Sequence, residues 1–207
     1  MRYYISDLHF YHARLNDHMD KRGFADVNTM NEYMINQWNW RVRKRDEVVI
    51  LGDLSFGTVD ETNELLRRLK GRKYLILGNH DRYVEKKGFN ASLLEWYGPY
   101  REMSDNGRNV ILCHYPIICY NKQFRRDPSG NSKTYMLYGH VHNTEDERFV
   151  EEYVKMIDGK PRSSYRGDQI ETTPIKMINC FCMFSGYVPL TLDEWIDLTE
   201  KRRADNN

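Results

Sequence analysis

Five short apolar runs, each followed directly by a polar cluster, constrain the fold of this chain more than any other feature. The runs are three or four residues long and rich in β-branched and aromatic side chains, which is typical of buried strands. They begin at Tyr3, Val48, Tyr74, Val110 and Tyr135. Helix-like stretches separate them, so the sequence predicts an α/β protein whose strands are buried in a sheet.

The polar clusters behind these runs concentrate Asp, Asn and His. They are Asp7-Leu8-His9, Gly52-Asp53, Gly78-Asn79-His80-Asp81, His114-Tyr115-Pro116 and Gly139-His140-Val141-His142. Ligands of α/β sheets bind at the carboxyl ends of the strands, which is where these clusters fall. Carboxylate and amide oxygens with imidazoles, and without a thiolate, suit borderline transition metals. The sequence therefore predicts a metal site at this edge of the sheet.

The spacing within the clusters favours a shared site. Asp7 and His9 are two residues apart at a strand end, as are His140 and His142, so the members of each pair project to the same side. Taken singly, a histidine is more often a structural residue than a ligand, and Asp53 has an alternative interpretation as a loop cap. Seven such positions in order, each behind its own predicted strand, are hard to explain by chance.

The order of the clusters resembles the calcineurin-like metallophosphoesterase superfamily, whose pattern is D-x-H, GD, GNH[DE], H and GHxH. All five motifs lie within residues 1–142, and residues 177–195 resemble the closing strand and loop of that superfamily. Residues 6–14, 38–57 and 69–81 resemble a small bacterial branch of predicted phosphoesterases. The resemblance implies a four-layer α/β/β/α sandwich of two mixed sheets flanked by helices.

The resemblance also implies a role for each candidate residue. One metal would be held by Asp7, His9, Asp53 and His142, and the other by Asp53, Asn79, His114 and His140. Asp53 would bridge the two ions. His80 would be the catalytic group at the leaving oxygen, with Asp81 orienting its imidazole. The donor set permits two divalent or trivalent ions of Mn, Fe or Zn, and also Ni, whereas Mg alone fits it less well.

The implied reaction is hydrolysis of phosphodiester or phosphomonoester bonds by a hydroxide that bridges the two metals. Small nucleotide-like phosphoesters are the favoured substrates. A nuclease is one alternative, but a chain of 207 residues with 31 basic and 30 acidic side chains, and a net charge of +1, carries no basic surplus for DNA. A scaffold that keeps the fold without catalysis is another, and the presence of His80 with every ligand position argues against it.

The composition limits the remaining possibilities. We expect one domain over residues 1–207 in a reducing, cytoplasmic compartment, because the four cysteines lack zinc-type spacing and no secretory sequence precedes the first run. No apolar run approaches the ~20 residues that span a bilayer, so no membrane association is expected. The sequence leaves the oligomeric state and the physiological substrate open.

Outside the motifs, the sequence predicts further elements with less support. Helices are expected over residues 26–43, 58–70 and from Thr191 onwards, a short helix or turn over 91–97, and a strand over 175–181. Residues 143–173 are predicted to form an inserted ribbon or flap, since Asp158-Gly159 is a hairpin turn motif. The irregular stretch through Arg22 is expected to cross the mouth of the site. Arg22, Tyr11 and Tyr115 are candidate phosphate contacts.

Overall fold

The structure, a computed structural model, describes residues 1–164, 167–172 and 174–205. Its strands are β1 (Arg2–Ile5), β2 (Glu47–Ile50), β3 (Arg72–Ile76), β4 (Trp96–Gly98), β5 (Tyr100–Asp105), β6 (Arg108–Cys113), β7 (Thr134–Tyr138), β8 (Pro161–Ser163), β9 (Ile170–Thr172) and β10 (Met177–Asn179). Its α-helices are α1 (Ala13–Asp17), α2 (Val27–Arg41), α3 (Val59–Arg68), α4 (Glu145–Ile157) and α5 (Leu192–Asp205).

Two four-stranded sheets form the centre of the molecule. The first has the order β1-β2-β3-β4 with all pairs parallel, and an antiparallel bridge between Tyr4 and Leu190 continues it. The second has the order β10-β7-β6-β5, in which only the β5–β6 pair is antiparallel. Strands β8 and β9 pair separately as a short antiparallel hairpin.

Side-chain alternation along the strands divides the core into layers. Tyr3 and Ile5 of β1 pack with α2 and α3 on the outer face of the first sheet. Tyr4, on the opposite face, packs against residues of the second sheet such as Val110 and Leu137. Met136 of β7 faces the other side and packs near Val154 of α4. The expected order of helix, sheet, sheet and helix is therefore confirmed.

Three of the predicted helices begin at side-chain caps. Asp26 accepts a hydrogen bond from the amide of Thr29 at the start of α2. Thr58 and Glu61 form a reciprocal capping box on α3, and Thr191 and Glu194 make the same pair of contacts at the start of α5. Such caps satisfy amides that have no partner within the helix, which fixes where each helix begins.

Two predicted elements differ from the structure. Ala91–Leu93 is a 3-10 helix, but Trp96–Gly98 is strand β4, because its backbone pairs with the exposed edge of β3. The predicted ribbon over residues 143–173 is wrong in its first half, which is helix α4. Its apolar positions recur at helical spacing and pack into the core, and Asp158-Gly159 follows its end instead of turning a hairpin. The turn between β8 and β9 includes residues 165 and 166, which lie outside the described part.

The search for membrane-spanning helices was negative. Across the described residues, every helix is too short or too polar to cross a bilayer.

Candidate metal centre

The polar clusters meet at the carboxyl ends of the two sheets, as the sequence predicts. Loops after β1 and β2 carry Asp7, His9 and Asp53, and the loop after β3 carries Asn79 and His80. The loop after β6 carries His114, and the loop after β7 carries His140 and His142. Parallel strands place their carboxyl ends on one edge, so residues far apart in the chain become neighbours.

One group of donor atoms comes from Asp7, His9 and His142. The Nε2 atoms of His9 and His142 lie 3.1 Å apart, and His142 Nε2 lies 3.5 Å from Asp7 Oδ1. All three residues are buried, and their donor atoms lie within 4.8 Å of one another. This spacing allows a single ion to contact all three side chains.

A second group adjoins the first. His114 Nε2 lies 3.5 Å from Asp53 Oδ2 and 3.1 Å from the side-chain oxygen of Asn79. That oxygen is also 3.0 Å from His140 Nδ1. Asp7, Asp53 and His114 again keep donor atoms within 4.8 Å of one another. Two carboxylates, one amide oxygen and two imidazoles thus converge in this half of the site.

Asp53 connects the two groups. Its Oδ2 atom lies 3.6 Å from His9 Nε2 on one side and 3.5 Å from His114 Nε2 on the other. Its Oδ1 atom accepts a hydrogen bond from the backbone amide of His80 at 2.9 Å. The carboxylate therefore has one fixed orientation and faces both groups, which is the position a bridging ligand needs.

The backbone is strained where these side chains converge. Five of the seven residues have left-handed φ angles: 55° at Asp7, 48° at His9, 53° at Asp53, 71° at His140 and 48° at His142. For residues with a Cβ atom, this conformation costs roughly 1 kcal/mol or more each and persists only when surrounding contacts impose it. Concentrated strain of this kind is typical of ligand sites.

Two glycines are required by close approach to the site. A Cβ atom on Gly52, whose φ is +92°, would lie 2.3 Å from His114 Nδ1. A Cβ atom on Gly139 would lie 2.4 Å from Asp7 Oδ2. Neither His114 nor Asp7 can move aside without leaving its group of donor atoms. The glycines of the Gly-Asp and Gly-His motifs are therefore needed for close packing at the site as well as for the turn of the backbone.

Burial and the contacts between carboxylates and imidazoles together shift the pKa values within the site. Burial disfavours the charged forms of Asp53 and His114, but their close contact at 3.5 Å, together with neighbouring charges and backbone groups, outweighs it, lowering the pKa of Asp53 and raising the pKa of His114 to about 9. Burial raises the pKa of Asp7. Burial and the neighbouring His142 lower the pKa of His9 well below its usual value.

The orientation of the imidazoles suits metal ions. His114 Nδ1 lies 2.8 Å from the carbonyl oxygen of Leu51, which can only accept, so Nδ1 carries the proton. His142 Nδ1 lies 2.8 Å from Asp20 Oδ1. Each contact directs the Nε2 atom of its ring into the site. Outer partners of this kind fix the tautomer of metal-binding histidines, so these residues fit a metal pair.

Asp20 and Arg22 support the site from beneath; the sequence did not indicate Asp20, and it predicted a different role for Arg22. Arg22 is buried; it donates to the carbonyl oxygens of Leu8 and Asp7 at 2.7 and 3.0 Å and forms an ion pair with Asp20 at 2.8 Å. The expectation that Arg22 contacts phosphate is therefore wrong, because its donors are used by Asp20 and by the loop after β1. The D-x-R spacing in the sequence gives no indication of these partners.

Asp81 has a different role from the predicted one. Its carboxylate accepts hydrogen bonds from the amides of Asp53, Leu54 and Gly78 at 2.8 to 2.9 Å. Burial, with a contribution from the charge of Asp53, raises its pKa to about 6. Asp81 thus holds together the loops after β2 and β3, and the prediction that it orients the imidazole of His80 is wrong.

His80 stands at the exposed side of the site. Its ring lies 4.5 Å from Phe56 and 5.7 Å from His9, between centroids. It lines a cavity of about 470 Å³ together with Asn79 and Phe56. His12 stacks on Phe56 at 3.8 Å, so it supports this wall. The ring of Tyr115 is exposed and lies 4.6 Å from His140, and it stays a candidate phosphate contact.

Tyr11 is less suited to that task. Its hydroxyl lies 3.4 Å from the carbonyl oxygen of Glu61, to which it can donate. Its ring packs near Gly57, where a Cβ atom would meet it at 2.7 Å. Tyr11 therefore joins the loop after β2 to α3.

Comparisons with known proteins agree with this geometry. The sequence model of the family described as calcineurin-like phosphoesterase matches residues 3–184. The chain is 31% identical over 204 residues to the uncharacterized protein MJ1445 of Methanocaldococcus jannaschii, covering 98% of this chain and 93% of that protein. It is 32% identical over 160 residues to the gene 66 protein of Mycobacterium phage D29, covering 68% of this chain and 78% of that protein.

A solved structure shares the fold. The crystal structure of AQ665, a protein of unknown function from Aquifex aeolicus, matches 96% of this chain and 98% of its own with a TM-score of 0.64. Sequence identity is 23%, so this similarity concerns the arrangement of the backbone.

Proposed function

The chain belongs to the calcineurin-like phosphoesterase family, whose members are metal-dependent phosphoesterases, and from that premise we propose that it hydrolyses small nucleotide-like phosphoesters. Phosphodiesters are the favoured substrates and phosphomonoesters are the alternative. The observation that carries the proposal is the position of Asp53 Oδ2 between His9 and His114, at 3.6 and 3.5 Å.

The proposed ligands form two sets that share Asp53. They are Asp7, His9, Asp53 and His142 for one ion, and Asp53, Asn79, His114 and His140 for the other. Mn, Fe or Zn, and also Ni, are compatible with these oxygen and imidazole donors. Two such ions would supply a water of lowered pKa and stabilise negative charge on the phosphoryl group.

The remaining chemistry is assigned to the chain itself. His80 borders both the donor group and the cavity, so we assign it the task of delivering a proton to the oxygen of the departing group. Asp81 and Arg22 hold the loops that carry Asp53 and Asp7, because their side chains bond to the backbone at those residues. The neutral amide of Asn79 provides an oxygen without adding negative charge to a site that receives a phosphate anion.

Phosphodiester hydrolysis gives the first test. With Mn²⁺ added, the purified protein is expected to hydrolyse bis-p-nitrophenyl phosphate, and removal of metal by a chelator should abolish turnover until Mn²⁺ is restored. Release of nitrophenol measures the rate. A protein that binds metal but shows no turnover would instead support the non-catalytic scaffold. Assays with single-stranded and double-stranded DNA as substrates separate the nuclease alternative from hydrolysis of small molecules.

Asp20 provides a test of the support beneath the site. The Asp20→Asn substitution is expected to weaken metal binding roughly 10- to 100-fold, because His142 loses the carboxylate that fixes its Nδ1 proton. Metal titration of chelator-treated protein measures the effect. Asp17→Asn, at an exposed position three residues earlier, is the matched control and should bind metal like the native protein. Equal affinities for the Asp20→Asn and native proteins would contradict the role of Asp20.

A further inference from the structure

The cavity beside His80 has features that extend the proposed function. It has a volume of about 470 Å³, within the range of small-ligand sites. Asn79 and His80 line it, and Asn79 also contacts His114 in the metal centre at 3.1 Å. The cavity therefore adjoins the metal centre at Asn79 and at His80, the residue assigned to the departing group.

Two cationic side chains, Arg82 and Lys86, also line this cavity. Within the described residues, neither side chain forms an ion pair or a hydrogen bond, whereas basic residues nearby in sequence, such as Arg68 and Arg72, pair with glutamates. Their charges are thus available to a ligand.

Among the residues that the structure describes, the neighbouring carboxylates form no ion pair with Arg82 or Lys86. Asp81 is engaged by three backbone amides, and Glu61 accepts from the backbone and hydroxyl of Thr58 at its helix cap. Glu85 lies in the same short 3-10 helix as Arg82 (Arg82–Glu85) but is absent from the cavity lining. The hydroxyl of Ser55, another lining residue, is occupied by Thr62. Arg82 and Lys86 therefore bring positive charge to the cavity lining, and in the described part of the chain neither is paired with a carboxylate.

We propose that Arg82 and Lys86 form a subsite for a second anionic group, a terminal phosphate carried by the departing half of the substrate. This inference rests on the proposed function and specifies its substrate class: phosphodiesters with a terminal phosphate are preferred over the same diesters without one. Guanidinium and ammonium groups recognise phosphate by charge-assisted hydrogen bonds.

Dinucleotides that differ only in a terminal phosphate test the subsite. For the Mn²⁺-loaded protein, kcat/KM for dithymidine phosphate carrying a terminal 3′- or 5′-phosphate is expected to exceed that of unmodified dithymidine phosphate by about tenfold, the effect of one charge-assisted contact. The double substitution Arg82→Gln with Lys86→Gln should bring the ratio of kcat/KM for the phosphorylated and unmodified dinucleotides close to one. Because both side chains are exposed, added salt should also reduce the ratio in the native protein.

Lys87→Gln is the matched control, since Lys87 is exposed, adjacent to Lys86 and outside the cavity. For this variant, the ratio of kcat/KM with and without the terminal phosphate should equal that of the native protein. A native ratio near one for both phosphorylated dinucleotides, or a ratio that survives the double substitution, overturns the subsite. Hydrolysis of bis-p-nitrophenyl phosphate in the same preparation shows whether the proposed function itself holds. If that activity is missing, the subsite is tested by calorimetric binding of inorganic pyrophosphate to metal-free protein. Equal affinities of the native and doubly substituted proteins would then overturn the subsite.

Discussion

The Asp53→Asn substitution is expected to remove bound metal and phosphodiesterase activity together. The Oδ2 atom of Asp53 faces His9 on one side and His114 on the other, so one change affects both proposed metal positions. Asparagine keeps the shape of the side chain but loses its charge and replaces one acceptor with a donor. Metal content is expected to fall from two ions per chain to one or none, and kcat/KM for bis-p-nitrophenyl phosphate to fall by roughly a thousandfold or more.

Elemental analysis after gel filtration measures the metal, and nitrophenol release measures the activity. Asp60→Asn, at an exposed position in the first turn of α3, is the matched control and should keep both. Circular dichroism establishes that each variant is folded. A folded Asp53→Asn protein that retains two ions per chain would contradict the assignment of Asp53 as a bridge.

Much of the fold follows from local patterns in the sequence. The apolar runs at Tyr3, Val48, Tyr74, Val110 and Tyr135 all fall on strands, because each is short, apolar and rich in residues with high strand propensity. The convergence of the polar clusters also follows, since strand ends share an edge. The sequence pattern shows the order of the polar clusters along the chain. Parallel pairing of the strands then brings these clusters close together at one edge of the sheets.

Elements defined by tertiary contacts were harder to predict. Strand β4 has three residues and exists because the edge of β3 offers it backbone partners, so propensity alone suggested a helix or turn around Trp96. In α4, the Asp158-Gly159 pair suggested a hairpin, although Val150, Val154 and Ile157 recur at helical spacing. The turn motif is a local preference, and burial of one helix face against β7 and β10 outweighs it.

The support beneath the site could not be predicted for a related reason. Asp20 and His142 are 122 residues apart, and nothing in either sequence neighbourhood indicates the other. Asp81 illustrates the opposite case, in which adjacency in sequence misleads. It follows His80 directly, but the turn after β3 directs its carboxylate to the amides of Gly78, Asp53 and Leu54. A motif indicates which residues matter, whereas the backbone path decides what each one contacts.

The His80→Ala substitution is expected to separate catalysis from metal binding. The ring of His80 lies outside both donor groups, so metal content should stay at the native level. A proton donor matters most when the departing oxygen is a strong base, so hydrolysis of dithymidine phosphate should fall by ~10² to 10⁴. Nitrophenolate leaves without a proton, so hydrolysis of bis-p-nitrophenyl phosphate should fall far less. Steady-state kinetics on both substrates, with elemental analysis of the same samples, measures this difference.

The exposed His18 offers the matched control, because His18→Ala removes an imidazole without altering the cavity and should leave both rates unchanged. A uniform loss on the two substrates in His80→Ala would mean that His80 binds the phosphate or stabilises its charge, since those contributions do not depend on the departing oxygen. Loss of metal would place His80 among the ligands. Dependence on the leaving group, with both ions still bound, is the outcome that a proton donor requires and that a purely structural role for His80 would not produce.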